Sequence, residues 1–163
     1  INGRFSASQK DLYDIVYTAN AVAIQKVQPG NHWNDPHDAA VKEITRGLRD
    51  LGILKGSLAN LIKGEAYRPY FMHKTGHWLG IDVHDVGDYR VAEQPRLLEP
   101  GMVMTVEPGI YISPNASGVS KRWKGIGIRL EDDVHIQKTG PEVLSDQLPS
   151  SAEEIEKFME HAH

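Results

Sequence analysis

Apolar residues in the first third of the chain recur at helical spacing. They lie three or four positions apart over residues 12–27, directly after Ser6-Ala-Ser-Gln9, which can form a capping box at a helix start. A second apolar series covers residues 40–51 and follows Pro36, a residue suited to the first turn of a helix. Residues 57–63 have the composition of a short third helix. This part of the chain is therefore predicted to be helical.

From Arg68 onward the chain changes to short apolar runs that are typical of strands. We predict strands within residues 69–72, 102–106, 110–112 and 126–136. A second capping box, Ser151-Ala-Glu-Glu154, predicts a closing helix that reaches about Glu160. No repeat or low-complexity linker divides the chain, so we expect one unit over residues 1–163. Helices followed by an antiparallel sheet indicate an α+β fold.

Composition narrows the class of protein. The chain has 163 residues, of which 40% are hydrophobic and 25% are charged, as in soluble globular domains. The net charge is −4, the charges do not form runs, and no apolar stretch approaches the ~20 residues that span a bilayer. We therefore expect neither nucleic acid nor a membrane as partner. The absence of cysteine excludes thiolate metal ligands and is compatible with a reducing compartment without requiring one. We expect a cytoplasmic location.

Candidate chemistry lies in the strand-rich part. His73, His77 and His84 occur in a segment too rich in glycine and β-branched residues to form a helix. Two glutamates, Glu107 and Glu131, follow on strand-like runs. Imidazole and carboxylate groups are good ligands for Zn, Mn or Co. Their combination suits a hydrolytic site built on divalent metal ions.

Each of these residues also has a plainer interpretation. Glu107 precedes a proline and a glycine, a pattern typical of a strand that ends in a turn. Glu131 starts an acidic run that can be a solvated sheet edge. In an extended segment His77 and His84 would face opposite sides, so a loop must intervene if both serve one site. The residue pattern alone leaves these interpretations and the metal site open.

The sequence neighbours of Arg129, and those of the remaining histidines, indicate what these residues do. Arg129 lies two residues before Glu131, so it can pair with a carboxylate near the site and lower the pKa of that carboxylate. The remaining histidines lack such a neighbourhood. We predict that these are structural or surface residues: His32, His37, His135, His161 and His163.

Three long motifs resemble the catalytic domain of the Xaa-Pro aminopeptidases (aminopeptidase P), a family of pita-bread metallopeptidases. They are His77-Trp-Leu-Gly-Ile-Asp-Val-His-Asp-Val-Gly87, Leu98-Glu-Pro-Gly-Met-Val-Met-Thr-Val-Glu-Pro-Gly109 and Gly125-Ile-Gly-Ile-Arg-Leu-Glu-Asp-Asp133. The motifs occur in the family's order, and the resemblance covers nearly the whole chain. It implies the pita-bread (creatinase/aminopeptidase) fold. It also implies hydrolysis of the N-terminal residue from peptides with proline in second position.

The resemblance further implies a dinuclear metal site. In that family two divalent cations, usually manganese, activate a water molecule and are held by two aspartates, one histidine and two glutamates. His77, Glu107 and Glu131 match the histidine and glutamate positions, with Glu131 bridging the two cations. Glu107 would in addition carry a proton to the leaving nitrogen.

Three residues have further roles by the same resemblance. His84 matches a histidine that contacts the substrate and the developing oxyanion, His73 matches a histidine that lines the cleft, and Arg129 matches an arginine beside the bridging glutamate. The related prolidases, which cut Xaa-Pro dipeptides, share most of these motifs and remain an alternative. A non-catalytic pita-bread binding module is a second alternative.

One departure from the family is large. Its two aspartate ligands belong to strands upstream of the segment that begins at Asn2, whereas Asp11, Asp14 and Asp35 fall on or beside predicted helices. We therefore expect the C-terminal half of a pita-bread domain, without the upstream strands and the N-terminal domain. Because the chain supplies only three of the five protein ligands of that family, we expect it to bind manganese weakly or not at all. We also expect no hydrolysis by the chain alone. An uncovered sheet edge and apolar surface predict a homo-oligomer.

Overall fold

The structure is a computed structural model that describes residues 3–161. In this range the helices are α1 (Ala7–Ile24), α2 (Asp35–Asp50), α3 (Leu58–Lys63) and α4 (Ala152–His161). The strands are β1 (Arg90–Val91), β2 (Gln94–Pro95), β3 (Val103–Val106), β4 (Gly109–Tyr111), β5 (Gly127–Arg129), β6 (Asp132–Gln137) and β7 (Gly140–Val143), with a 3₁₀ turn at Lys121–Trp123. The predicted α+β class is confirmed. Residues 1, 2, 162 and 163, and the ring of His161, lie outside the description, and so do the predictions that concern them.

The helical pair α1 and α2 follows the predicted pattern. The Ser6 hydroxyl accepts a hydrogen bond from the backbone of Gln9, whose side chain accepts one from the backbone of Ser6, so the capping box is present. The two helices approach closely at Gly47. A Cβ at this position would lie 2.6 Å from Cγ1 of Ile15, so the crossing requires a glycine.

The helices and the strands share one hydrophobic core. The helical members with no exposed surface are Leu12, Val16, Ala19, Ala23, Ala40, Ile44 and Leu48, and each buried leucine or isoleucine contributes about 1.5–3 kcal/mol. The strand members are Met104, Val106, Ile110, Val134 and Ile136. None of the helices within residues 3–161 combines the length and the apolar character needed to cross a bilayer.

The strands form small antiparallel sheets. The order in the largest is β3–β6–β7, while β4 pairs with β5 and β1 pairs with β2. The segment that carries β3 and β4 is interrupted at residues 107–108, and the segment that carries β5 and β6 is interrupted at residues 130–131. The two strand segments are therefore interrupted at positions that lie opposite each other.

Two strand predictions are wrong in detail. Residues 69–72 are not a strand, because the N–H groups of Tyr70 and Phe71 both bond locally to the carbonyl of Tyr67, at 2.8 and 2.9 Å. The single strand predicted over residues 126–136 is two strands, because residues 130 and 131 lie outside both, although the N–H of Leu130 still donates to the carbonyl of Pro108 at 3.3 Å. The core is unaffected, since Phe71 is buried in the turn conformation.

Candidate metal centre

Glu107 and Glu131 lie opposite each other between two strand pairs of one continuous register. The pairs that flank the gap are Val106 with Asp132 and Gly109 with Arg129. Counting inward from either pair places Glu107 opposite Glu131. Directly opposed residues of antiparallel strands have Cβ atoms about 5 Å apart. The two carboxylates therefore converge because of the strand register.

Glu107 is almost buried and is held by several polar contacts. Its exposed fraction is 8%. Its backbone N–H donates to the carbonyl of Thr75 at 2.7 Å, and the Thr105 hydroxyl donates to its Oε1 at 3.3 Å. Nη1 of Arg129 lies 3.3 Å from its Oε2. Pro108 follows without an N–H to continue the ladder. These contacts fix the direction of the carboxylate where the sheet opens.

His77 presents a free ring nitrogen to Glu107. Its Nδ1 lies 2.9 Å from the carbonyl of Trp78, which can only accept, so Nδ1 carries the proton and Nε2 is the open ligand atom. This Nε2 lies 3.5 Å from Oε1 of Glu107. The backbone N–H of His77 donates to the Thr105 hydroxyl at 3.0 Å, which attaches the loop to β3. A backbone carbonyl that orients a histidine in this way is common at metal sites.

The three predicted ligands form one cluster. One ligand atom from each of His77, Glu107 and Glu131 lies within 4.8 Å of the others, with Glu131 on the exposed side. One imidazole and two carboxylates are a donor set that fits a divalent cation. Within residues 3–161 no aspartate joins the cluster. Asp11 and Asp14 lie on α1, and Asp35 begins α2.

The other predicted site residues surround this cluster. The ring of His84 is 4.2 Å from that of His77 between centroids, in an edge-on arrangement, so the intervening loop does bring the two together. Arg129 donates from Nε to the Tyr111 hydroxyl at 2.7 Å, and this bond raises the pKa of the guanidinium. His73 Nε2 lies 3.0 Å from the same hydroxyl. Because the Lys74 carbonyl accepts from Nδ1 of His73 at 2.7 Å, Tyr111 donates to Nε2.

Tyr111 was not among the residues predicted from the sequence, although a signal was present. It lies four positions after Glu107, and alternation along a strand puts residues 107, 109 and 111 on one face. Among the remaining histidines, His32 and His135 are surface residues, His135 being paired with Glu142 at 2.8 Å. His37 is half-buried and bonds to Thr75.

An imidazole and two carboxylates converging on an α+β scaffold define a candidate metal-dependent protein, and comparison with known proteins specifies the family. Residues 1–138 match the description "Metallopeptidase family M24". The chain belongs to this family.

Curated relatives extend the match over almost the whole chain. It is 46% identical over 159 residues to the Xaa-Pro aminopeptidases of Haemophilus influenzae and Escherichia coli, which covers 98% of this chain and 36% of each relative. It is 40% identical over 160 residues to Xaa-Pro aminopeptidase 2 of Streptomyces coelicolor, with 98% of this chain and 34% of the relative covered. The chain thus spans about a third of the length of these relatives.

Solved structures agree with the fold. The structure of aminopeptidase PepP from Pseudomonas aeruginosa superposes with a TM-score of 0.97 at 53% identity, covering 99% of this chain and 36% of that one. Zinc-substituted E. coli aminopeptidase P in complex with product gives a TM-score of 0.94 at 46% identity with the same coverages. The predicted resemblance and the truncated pita-bread architecture are therefore confirmed.

Proposed function

We propose that this chain forms part of the active centre of a Xaa-Pro aminopeptidase, which removes the N-terminal residue from peptides whose second residue is proline. The observation that carries the proposal is the convergence of His77, Glu107 and Glu131 within 4.8 Å. The names of the relatives support the choice of substrate. All three ligand side chains are retained and lie together, which favours a peptidase over a non-catalytic binding module.

His77, Glu107 and Glu131 would hold divalent cations, for which we propose manganese. Such ions supply a Lewis acid and lower the pKa of water so that it is a nucleophile near neutral pH. Two cations need more negative charge than two glutamates provide. We therefore propose that two further carboxylates complete the site in a protein of the relatives' length.

The surrounding residues have separate roles in this proposal. Glu107, oriented by Arg129, accepts a proton from the attacking water and passes it to the leaving imino nitrogen. His84 donates a hydrogen bond to the developing oxyanion, a contribution of about 3 kcal/mol in enzymes where such a donor was removed. His73 lines the cleft next to the Tyr111 hydroxyl.

Hydrolysis by the protein at its full coding length tests the proposal. We expect manganese-dependent cleavage of an Xaa-Pro-Xaa tripeptide and little cleavage of an Xaa-Ala-Xaa tripeptide. Preference for the Xaa-Pro dipeptide would instead identify a prolidase, and no cleavage of any of them would leave a binding module. Glu131→Gln should lower kcat by more than about 100-fold, since even residues that only support a metal ligand cost 10–100-fold. His135→Gln, on the surface of β6, is the matched control.

Manganese titration of the 163-residue chain tests whether its three ligands are enough to bind the ions. With three protein ligands we expect a dissociation constant weaker than micromolar, and no hydrolysis. Sub-micromolar binding of two ions by the chain alone would contradict the proposal that two further carboxylates are needed to complete the site.

A further inference from the structure

The peptide group that joins Val106 to Glu107 is bound by groups outside the sheet. The carbonyl of Val106 accepts a hydrogen bond from Nδ2 of Asn20 at 3.0 Å. The N–H of Glu107 donates to the carbonyl of Thr75 at 2.7 Å, and the hydroxyl of Thr75 lies 2.8 Å from Nδ1 of His37. One polar side chain from each long helix thus reaches this peptide group, directly or through one residue.

We propose that Asn20 and His37 are positioning residues that clamp the Val106–Glu107 peptide group and thereby aim the Glu107 carboxylate. The inference rests on the proposed function, in which Glu107 is a metal ligand and proton carrier. Neither residue touches the metal cluster itself. Their action is on the backbone that carries one of its members.

Asn20 is a polar residue at a position where packing alone favours an apolar one. It lies on the buried face of α1, next to Ala19, and is 6% exposed. Burying an amide costs free energy unless it is hydrogen-bonded. Its bond to Val106 offsets this cost, and it joins α1 to the last paired residue of β3.

His37 reaches the same peptide group through Thr75. Burial, with smaller contributions from Lys74 and His73, lowers the pKa of His37 to about 4, so the ring is neutral at pH 7. A neutral ring can bond to the Thr75 hydroxyl without burying a charge. Thr75 is 3% exposed, so this bond lies inside the protein and restrains the residue whose carbonyl holds Glu107.

The break in the ladder explains why this peptide group needs support. Strand pairing with β6 ends at Val106, and it resumes with β5 at Gly109. Between them Pro108 has no N–H to donate, although its carbonyl accepts from the N–H of Leu130 at 3.3 Å. The N–H of Glu107 itself donates to Thr75 and not to the facing strand segment. A rotation of its peptide group would move Oε1 away from Nε2 of His77, now 3.5 Å distant.

The test compares leucine variants of the protein at its full coding length. Asn20→Leu and His37→Leu should each weaken manganese binding by about 10-fold or more and lower kcat for the tripeptide to a similar extent, as residues that orient metal ligands do. KM should change by less than about twofold, since the lost contact acts on Glu107 and not on substrate binding. Hydrogen exchange at the Glu107 amide should become at least about 10-fold faster in His37→Leu.

Two matched variants separate positioning from general stability. His37→Asn keeps a hydrogen-bonding group near the place of Nδ1 and should restore manganese affinity and kcat to within about threefold. His32→Leu, the same substitution at an exposed histidine before α2, should leave all values unchanged. If a leucine variant does not fold, Thr75→Val replaces the hydroxyl by a methyl group of similar size and is expected to act like His37→Leu.

The outcomes distinguish this inference from the proposed function. Unchanged manganese affinity, kcat and amide exchange in folded Asn20→Leu and His37→Leu would overturn the clamp while the peptidase proposal stands. If the unsubstituted protein neither binds manganese nor cleaves Xaa-Pro peptides, the proposed function fails. The exchange rate of the Glu107 amide then decides whether the clamp exists.

Discussion

Glu107 and Glu131 bring two carboxylates to facing positions of one antiparallel ladder, with ligand atoms within 4.8 Å. Like charges directly opposite each other on paired strands are destabilising. A divalent cation between them would remove the repulsion. The pair is therefore expected to make the stability of the protein sensitive to metal.

Glu131→Gln tests this sensitivity. In EDTA the substitution should raise the free energy of unfolding by up to about 1 kcal/mol, because it removes one of two facing charges. Manganese should then stabilise the unsubstituted protein more than the variant in thermal denaturation. Glu99→Gln, at an exposed position, is the control for the loss of one negative charge. Equal stability of all three proteins in EDTA would show that the carboxylates do not repel.

The half-buried ring of His37 predicts a pH-dependent stability. Its pKa is about 4 in the folded protein, and the ordinary value is 6.5. Between these values the unfolded chain binds more protons, so the free energy of unfolding falls as the pH is lowered from 7 to 4. The loss is at most about 3 kcal/mol for this one group, less solvent screening. Urea unfolding of His37→Asn should show a shallower pH dependence, and identical slopes would contradict the assigned burial.

Gly109 and Gly127 offer a matched pair of substitutions in β4 and β5. A Cβ at Gly109 would lie 2.6 Å from the Tyr111 hydroxyl and 2.9 Å from the carbonyl of Ile128, whereas the nearest atom for Gly127 is 3.4 Å away. Gly109→Ala should therefore cost about 1–3 kcal/mol of stability. Gly127→Ala should change it by less than about 1 kcal/mol, in either direction. A reversed order in chemical denaturation would show that the site around Tyr111 is packed differently.

Self-association of the 163-residue chain is expected from its exposed apolar loop. Ile81, Val83 and Val86 are 101%, 69% and 89% exposed, and they lie close together in sequence. Such surface favours association. Light scattering should detect an oligomer that the triple serine substitution of these residues weakens. A monomer at high concentration would contradict this expectation.

The helices were predictable from sequence because their signals are local. The predicted capping residues Ser6 and Ser151 each accept the expected bond from the backbone three residues later. The meeting of Glu107 with Glu131 depends on strand register, which the sequence pattern alone left open and the family resemblance supplied. Asn20 and His37 could not be identified, because their partners lie far away in the chain and the bonds depend on how the helices pack on the loop.

The sequence predicts the presence of strands better than it predicts the residues at which they begin and end. Apolar alternation through residues 126–136 continues across Leu130 and Glu131, so nothing local marks the break. The break becomes understandable only from the facing segment, where Pro108 interrupts the partner. The sequence predicts a strand at residues 69–72 where the structure has a turn, because buried aromatic residues such as Phe71 are common in strands as well.

Anomalous diffraction from manganese-loaded crystals of the protein at its full coding length would show whether His77, Glu107 and Glu131 form a metal site. We expect manganese peaks in contact with the side chains of His77, Glu107 and Glu131, whose ligand atoms lie within 4.8 Å of one another. Manganese peaks elsewhere, with none in contact with these three side chains, would contradict it.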